Sequence, residues 1–245
     1  MDPGLERTAF VLAGGGSLGA VQAGMLVELM AANVCPDLIV GVSAGALNGA
    51  FFAFDPSVAM VERIADLWRR VTTRVPLNIV ATDEITGAEV ILSQGDVVDA
   101  VLAGSAIPGV FAPVSIGGRG LVDGAIASGT PIAAAAHPGA ACLIVVPCGF
   151  TCVDSAIPRH ALGRAMHAVS LLGARQLRQD CEHFGGRLAL RFVPPLCPLH
   201  YSPYDYSNGA LLIEAAREST RRWLGEGGLE CPDLPGAMLV HTHRD

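Results

Sequence analysis

The stretch Gly41-Val42-Ser43-Ala44-Gly45 decides how the first half of this 245-residue chain folds. Before it lies the short apolar run 38–40, which is typical of a buried parallel strand. After it, residues 44–54 are rich in Ala, Leu and Phe and predict a buried helix. Small residues on both sides of Ser43 let the chain turn sharply from strand to helix, which lifts the serine hydroxyl out of the backbone. The stretch therefore predicts a nucleophilic serine at a strand–helix turn, with a helix-capping serine as the alternative.

A glycine-rich run, residues 14–19, lies about one strand–helix unit upstream. Residues 8–12 predict the strand before it, and residues 20–31 predict a helix with one apolar face after it. Backbone N–H groups at such a turn point outward without partners, and glycine lets a ligand approach them closely. The amides around Gly14, Gly15 and Gly16 are thus candidates for holding an oxyanion.

The same run has two other interpretations. Gly14, Gly16 and Gly19 satisfy the GxGxxG pattern of dinucleotide-binding folds, which predicts an acidic residue at the end of the second strand. That strand runs out into residues 41–43, and the nearby Asp37 precedes it instead. The sequence therefore disfavours a dinucleotide, and a tight turn without a ligand stays open.

A third stretch, Leu121-Val122-Asp123-Gly124-Ala125, ends a short apolar strand with an aspartate. Open α/β sheets place their ligands at the C-terminal ends of strands, so this carboxylate is a candidate site group. Alone the pattern is weak, because Asp-Gly after a strand is usually a turn.

In this order, the three stretches resemble the patatin-like phospholipases. The similarity continues between them, through Ala-Thr-Asp at 81–83, Thr-Gly at 86–87 and the segment 104–113. Residues 195–206 are similar as well, so the resemblance covers most of residues 8–225. An ordered set of motifs is far more specific than any one of them.

The resemblance implies a serine hydrolase with a Ser-Asp dyad. It makes Ser43 the nucleophile and Asp123 its base partner, and it makes the backbone amides around Gly14, Gly15 and Gly16 the oxyanion hole. This chemistry is coherent, since an alcohol needs a base within hydrogen-bond reach and the developing oxyanion needs fixed donors.

Two positions depart from the family pattern. Ser17-Leu18 stands where many relatives carry Arg or Lys, so a positive charge beside the oxyanion hole is not expected. Ala125 stands where relatives commonly have a second glycine after the aspartate. Both changes leave the dyad intact.

The expected fold is α/β, with three α/β/α layers, a mostly parallel central sheet and a single domain over 1–245. The length suits one domain, and a chain that is 51% hydrophobic can bury a substantial core. Alternating strands and helices imply a sheet covered on both faces. Strands are predicted at 8–12, 38–42, 77–82, 88–92, 114–122, 142–147 and 188–193, and helices at 18–31, 44–54, 57–70, 96–103, 159–184 and 207–224.

The charge pattern narrows the partners. The formal net charge is −7, and all 16 basic residues are arginine. An acidic chain with scattered arginines is a poor nucleic-acid binder and has no polybasic anchor for anionic lipid. The expected partner is a lipid or small ester, with at most transient contact with a membrane surface.

Cysteine usage and the N-terminus indicate a cytoplasmic protein. Seven cysteines without paired CxxC spacing suggest reduced thiols, and neither a metal nor a cofactor is expected. Residues 1–7 lack the basic and apolar regions of a signal peptide. Residues 131–150 are broken by prolines, so they predict a helix and a buried strand and no membrane span.

A Ser-His-Asp triad is the competing catalytic arrangement. In the α/β-hydrolase fold the histidine follows the serine and the acid, and His160, His167, His183 and His200 lie downstream of both. That fold places several strands before its nucleophile, however, and here two fit. The triad is therefore disfavoured.

The segment after the nucleophile helix is short. Many bacterial relatives carry several dozen extra residues there, whereas this chain has 55–75, whose apolar positions show helical spacing. A packed surface helix is favoured over a mobile lid. An open site that accepts short or single-chain esters and gains little from a lipid interface is the resulting hypothesis.

The predicted function is a serine acyl-ester hydrolase that acts on lipids through an acyl-enzyme. Two alternatives stay open: an acyltransferase on the same dyad, and a non-catalytic lipid-binding or regulatory module. Hydrolysis versus acyl transfer, head group and chain length are not determined by these residues.

Overall fold

Short apolar runs build a mixed eight-stranded sheet in this computed structural model, which describes residues 8–14, 19–53, 75–136, 140–148, 161–199 and 207–230. Within these ranges the strands are β1 (Thr8–Leu12), β2 (Leu38–Gly41), β3 (Leu77–Asp83), β4 (Glu89–Leu92), β5 (Val114–Ile116), β6 (Arg119–Asp123), β7 (Cys142–Val146) and β8 (Ala189–Phe192). The α-helices are α1 (Gly19–Ala31), α2 (Ala44–Ala53), α3 (Val97–Gly104), α4 (Ile132–Ala136), α5 (Ala161–Phe184) and α6 (Gly209–Gly225). A 3-10 turn, Gly124–Ile126, follows β6.

The sheet has a parallel part and an antiparallel part. Strands β3, β2, β1, β7 and β8 pair in parallel in that order. Strands β4 and β6 pair antiparallel with β3, and β5 pairs antiparallel with β6. The sheet is therefore mostly parallel, as the sequence predicted.

The central strands are buried on both faces. On β1, Phe10 and Leu12 pack into a cluster with Met25 of α1, whereas Ala9 packs on the opposite face into a cluster with Ile132 of α4. Side chains alternate across a strand, so an uninterrupted apolar run fills two cores at once. This arrangement gives the three α/β/α layers that the sequence predicted.

One predicted strand is wrong. The single strand expected at 114–122 is a hairpin of β5 and β6. The two residues between these strands, Gly117 and Gly118, have φ values of 60° and 79°. Two consecutive left-handed residues form the two-residue turn that reverses a hairpin, and glycine adopts them without strain.

The helix and strand expected within 131–150 are confirmed as α4 and β7. The helix predicted at 57–70, on which the hypothesis of an open site rests, lies outside the described residues. No helix in the described part of the chain combines the length and apolar character that a membrane span requires.

The ends of strands β2 and β6 lie near each other because both strands pair with β3. Gly41, the last residue of β2, is in register with Ile79 of β3, and Asp123, the last residue of β6, is in register with Ala81. Because β2 is parallel and β6 antiparallel to β3, the two strands run toward each other. Their ends lie two residues apart along β3, about 7 Å of strand.

Candidate active site

The turn between β2 and α2 holds Ser43 in an unusual conformation. Its φ is 53°, in the left-handed region that residues other than glycine rarely adopt. Gly41 and Gly45 permit this tight turn, because a Cβ on Gly41 would collide with the Gly45 carbonyl group and a Cβ on Gly45 would collide with the Leu12 carbonyl oxygen. The Ser43 amide donates to the carbonyl oxygen of Gly104 at 3.0 Å, which fixes the turn against α3.

Asp123 ends β6 and caps the 3-10 turn after it. Its Oδ1 accepts a hydrogen bond from the Ala125 amide at 2.8 Å. The Ser43 side chain also acts on this carboxyl as a hydrogen-bond partner that lowers its pKa. Serine and aspartate are both nearly buried, 8% and 4% exposed. The structure therefore brings together the two side chains that the sequence singled out.

Burial governs the protonation of Asp123. Desolvation raises the pKa of its carboxyl above the usual value, while the Ala125 amide and the Ser43 hydroxyl pull the pKa back down. A carboxylate that is buried against a hydroxyl is a stronger proton acceptor than one in water, because burial destabilises its charged form.

Thr82 holds the backbone of Asp123 and was not assigned a role from the sequence. Its hydroxyl donates to the Asp123 carbonyl oxygen at 2.9 Å and accepts from the Ala127 amide at 3.2 Å. The Asp123 amide donates to the Ala106 carbonyl oxygen at 2.9 Å. The Ala-Thr-Asp stretch at 81–83 pointed to this position without showing what the threonine does.

Gly14 lies directly beside the nucleophile. A Cβ on Gly14 would sit 3.2 Å from the Ser43 Cβ and 3.5 Å from the Ala125 Cβ, so glycine keeps this approach open. Its amide, however, donates to the Gly129 carbonyl oxygen at 3.1 Å and is not a free donor in this structure. Gly15 and Gly16, the other expected oxyanion donors, lie outside the described residues.

A hydrogen-bonded polar pair, Gln22 and Asn48, was also missed by the sequence analysis. Gln22 of α1, fully buried, donates from Nε2 to the carbonyl oxygens of Ala13 and Val146, at 2.8 Å each. Asn48 of α2 donates to Gln22 Oε1 at 3.0 Å. The pair therefore joins the ends of β1 and β7 to α2, the helix that follows Ser43.

The histidines do not join this arrangement in the described residues. His167 and His183 lie on α5, and the ring of His183 packs edge-on against Phe184 with centroids 4.7 Å apart. The groups that act on the Asp123 carboxyl are Ala125 and Ser43. His160 and His200 lie outside the described residues.

Comparison with known proteins identifies the class. The family model described as Patatin-like phospholipase matches residues 10–84 and 71–136, about half of the chain, and the chain belongs to that family. The match includes Gly14, Ser43 and Asp123.

Relatives and a solved structure agree with this family. An uncharacterised NTE-family protein of Mycobacterium tuberculosis is 30% identical over 174 residues, 57% of this chain and 48% of that protein. The lysophospholipase NTE1 of Scheffersomyces stipitis is 35% identical over 92 residues, 34% of this chain and 6% of that protein. VipD from Legionella pneumophila has a similar fold, with a TM-score of 0.54 over 91% of this chain and 67% of that chain at 12% identity.

The chain thus spans about half the length of the mycobacterial relative and a small part of the lysophospholipase. The family and these relatives support assignment to the class of lipid acyl hydrolases.

Proposed function

We propose that this chain is a serine lipid acyl hydrolase that works through a Ser43–Asp123 dyad. The observation that carries the proposal is the placement of Ser43 beside the buried Asp123 carboxyl, whose pKa it lowers as a hydrogen-bond partner. A carboxylate in this position can accept the hydroxyl proton as the serine oxygen attacks an ester carbonyl. The family match supports the same class of reaction.

The proposed reaction has two halves. Ser43 Oγ bonds to the acyl carbon while its proton passes to Asp123, and the carbonyl oxygen becomes an oxyanion held by the amides at Gly15 and Gly16. The ester C–O bond then breaks, and the departing alcohol takes the proton from Asp123. In the second half, water attacks the acyl-enzyme and gives a proton to Asp123, and Ser43 regains that proton as the fatty acid leaves.

Labelling with a fluorophosphonate tests the nucleophile. The wild-type chain is expected to gain one phosphonyl adduct on Ser43, and Ser43→Ala is expected to gain none. Ser105→Ala is the matched control, because the Ser105 hydroxyl is used within α3, where it donates to the Val101 carbonyl oxygen at 2.7 Å. Labelling that persists in Ser43→Ala at the wild-type rate would show that Ser43 is not the nucleophile. A folded wild-type chain that does not label would favour a non-catalytic lipid-binding module.

An ester panel then defines the reaction. Initial rates are measured against acyl length, below and above the micellar threshold of each substrate, with and without an added alcohol acceptor. We expect free acid as the main product and no sharp rise in rate at the threshold. Faster formation of the acylated alcohol would make the chain an acyltransferase, and a strong preference for long two-chain phospholipids would contradict the open site.

A further inference from the structure

An open cleft of about 450 Å³ lies at the C-terminal end of β3, and most of its wall is apolar. The apolar residues of the wall are Pro108, Phe111, Pro113, Val122 and Ile126. Phe111 is 59% exposed and Ile126 is 49% exposed, so a ligand that covers them removes apolar surface from water. The volume lies within the range of small-molecule sites, about 300–1,000 Å³. The cleft is therefore large enough for a small ligand with an apolar body.

Two carboxylates, those of Asp83 and Glu84, line the same cleft. Asp83 ends β3 and is 9% exposed, and its Oδ1 accepts hydrogen bonds from the amides of Ile85 and Thr86, at 3.1 and 2.9 Å. The amide and hydroxyl of Thr86 lower the pKa of the Asp83 carboxyl, so it is ionised at neutral pH. The turn after β3 therefore fixes one negative charge in the cleft wall, and Glu84 adds a second carboxylate.

These carboxylates have no paired cation. Neither Asp83 nor Glu84 forms an ion pair within the described part of the chain, whose carboxylate–arginine pairs lie between α1 and α6 or within α6. Arg119 also lowers the pKa of Asp83, but less than the hydrogen bonds do. The cleft therefore combines an apolar wall with negative charge that the protein leaves unpaired.

An ammonium group complements this wall, and an anion does not. Opposite charges attract more strongly beside apolar surfaces than in water, and like charges at the same distance repel. The Phe111 ring adds to the preference, because the face of an aromatic ring attracts a cation. The apolar wall in turn favours a hydrocarbon body over a bare ammonium ion.

We propose that this cleft is a binding site for a small organic cation, an amine that carries a short hydrocarbon body. Its ammonium group lies against the two carboxylates, and its hydrocarbon covers Phe111 and Ile126. Neither Ser43 nor Asp123 lines the cleft, so this ligand is distinct from the ester proposed to react at Ser43. The site does not depend on the proposed hydrolase function.

NMR of the isoleucine δ-methyl groups in the wild-type chain tests the site. The Ile126 signal, assigned with Ile126→Val, reports binding in the cleft. The probes are hexylamine, 1-hexanol and hexanoate, which share a six-carbon chain and differ in charge. We expect hexylamine to shift the Ile126 signal with an affinity about tenfold higher than that of hexanoate and about threefold higher than that of hexanol. The Ile85 signal is the internal control and should not move, because Ile85 is 88% exposed and does not line the cleft.

Substitutions separate the contribution of charge from that of apolar contact. Glu84→Gln is expected to weaken hexylamine about threefold and to leave hexanol unchanged. Phe111→Ser, on an exposed loop, is expected to weaken hexylamine and hexanol alike, which locates both in the cleft. Glu218→Gln is the matched control, because it makes the same change on α6, away from the cleft, and should leave all three probes unchanged.

Three results would overturn the site: an Ile126 signal that hexylamine does not move, equal affinity for hexylamine and hexanoate, or the same hexylamine affinity in Glu84→Gln and Glu218→Gln. If Glu84→Gln does not fold, the salt dependence of the wild type decides. Added NaCl should weaken hexylamine and spare hexanol, and an equal response of both would also count against the site. A failure of fluorophosphonate labelling at Ser43 would reject the hydrolase and leave this binding result unchanged.

Discussion

The parallel and antiparallel parts of the sheet supply different halves of the candidate site. Ser43 follows β2, a parallel strand whose four residues are all buried. Asp123 ends β6, which enters the sheet antiparallel to β3 from the opposite direction. Neighbouring parallel strands deliver side chains side by side at one edge, whereas these two strands meet end to end along β3. In the proposed dyad Asp123 therefore acts on Ser43 directly, with no third side chain between them.

Removing the proposed base, Asp123 at the end of the antiparallel strand β6, should have a large effect on the rate of ester hydrolysis. Asp123→Asn keeps the shape of the side chain and deletes the proton acceptor. We expect the rate of ester hydrolysis to fall on the order of 10²–10⁴-fold, the usual contribution of a general base. Near-wild-type turnover in purified, folded Asp123→Asn would mean that Asp123 is not the base for Ser43.

A larger residue at Gly124 should disrupt the contact between the end of β6 and the end of β2. A Cβ on Gly124 would collide with the Val80 carbonyl oxygen and lie 2.6 Å from Val42 Cγ2, so Gly124→Ala should push the 3-10 turn and Asp123 away from β2. We expect a loss of about 1–3 kcal/mol in the free energy of unfolding, measured in urea, together with a loss of activity. Gly129→Ala is the control, since its Cβ would meet its nearest neighbour, Gly173 Cα, at an ordinary 3.6 Å. Equal stability of the two variants would contradict the tight junction.

In the parallel part of the sheet, the Gln22 side chain holds the ends of β1 and β7 together by hydrogen bonds. Gln22→Met keeps the volume but deprives the carbonyl oxygens of Ala13 and Val146 of their side-chain donor. We expect unfolding to be easier by about 1–3 kcal/mol, because three hydrogen bonds of the Gln22 side chain are lost and the two carbonyl oxygens keep, among the described residues, only the Cys148 thiol and the Ala13 amide as donors. Met25→Leu, a buried and nearly isosteric change on the same helix, should cost less than about 1.5 kcal/mol. If both variants melt alike, the hydrogen bonds of Gln22 do not hold the strand ends.

The smallest effects are expected at the histidines. His167→Gln and His183→Gln on α5 should each leave turnover within about tenfold of wild type, because in the proposed dyad Asp123 accepts the serine proton without a histidine. The same result is expected for His160→Gln and His200→Gln. Loss of activity in one well-folded variant of the four would favour a Ser-His-Asp triad over the proposed Ser43–Asp123 dyad.

The two parts of the sheet also differ in how well the sequence predicts them. Strand β1 was predicted with its observed bounds, Thr8–Leu12, because a continuous apolar run between polar residues and a glycine run leaves few other choices. The hairpin at 114–123 was predicted as one strand, because Gly117-Gly118 lies between two short runs that each fit a strand. Gly-Gly is a dipeptide that two-residue hairpin turns favour, so the sequence carried a signal for the reversal that the prediction did not use.

The site shows the same contrast. Ser43 was evident from its own surroundings, whereas Asp123 is distant in sequence and was tied to it only by the family order of motifs. Gln22 and Thr82 were missed, because a single polar residue among apolar ones gives no signal until its partners are known. Their roles depend on carbonyl groups brought close by the fold.

The most direct test of the dyad is the pH dependence of fluorophosphonate labelling of Ser43, measured in the wild type and in Asp123→Asn. Serine attack needs the ionised carboxylate, so the wild-type rate should rise as the pH passes the pKa of Asp123. Burial raises that pKa, so the rise should be centred above about 3.9, the usual value for aspartate. Asp123→Asn should label slowly and lack this rise. An identical pH profile in the two proteins would contradict the claim that Asp123 is the base for Ser43.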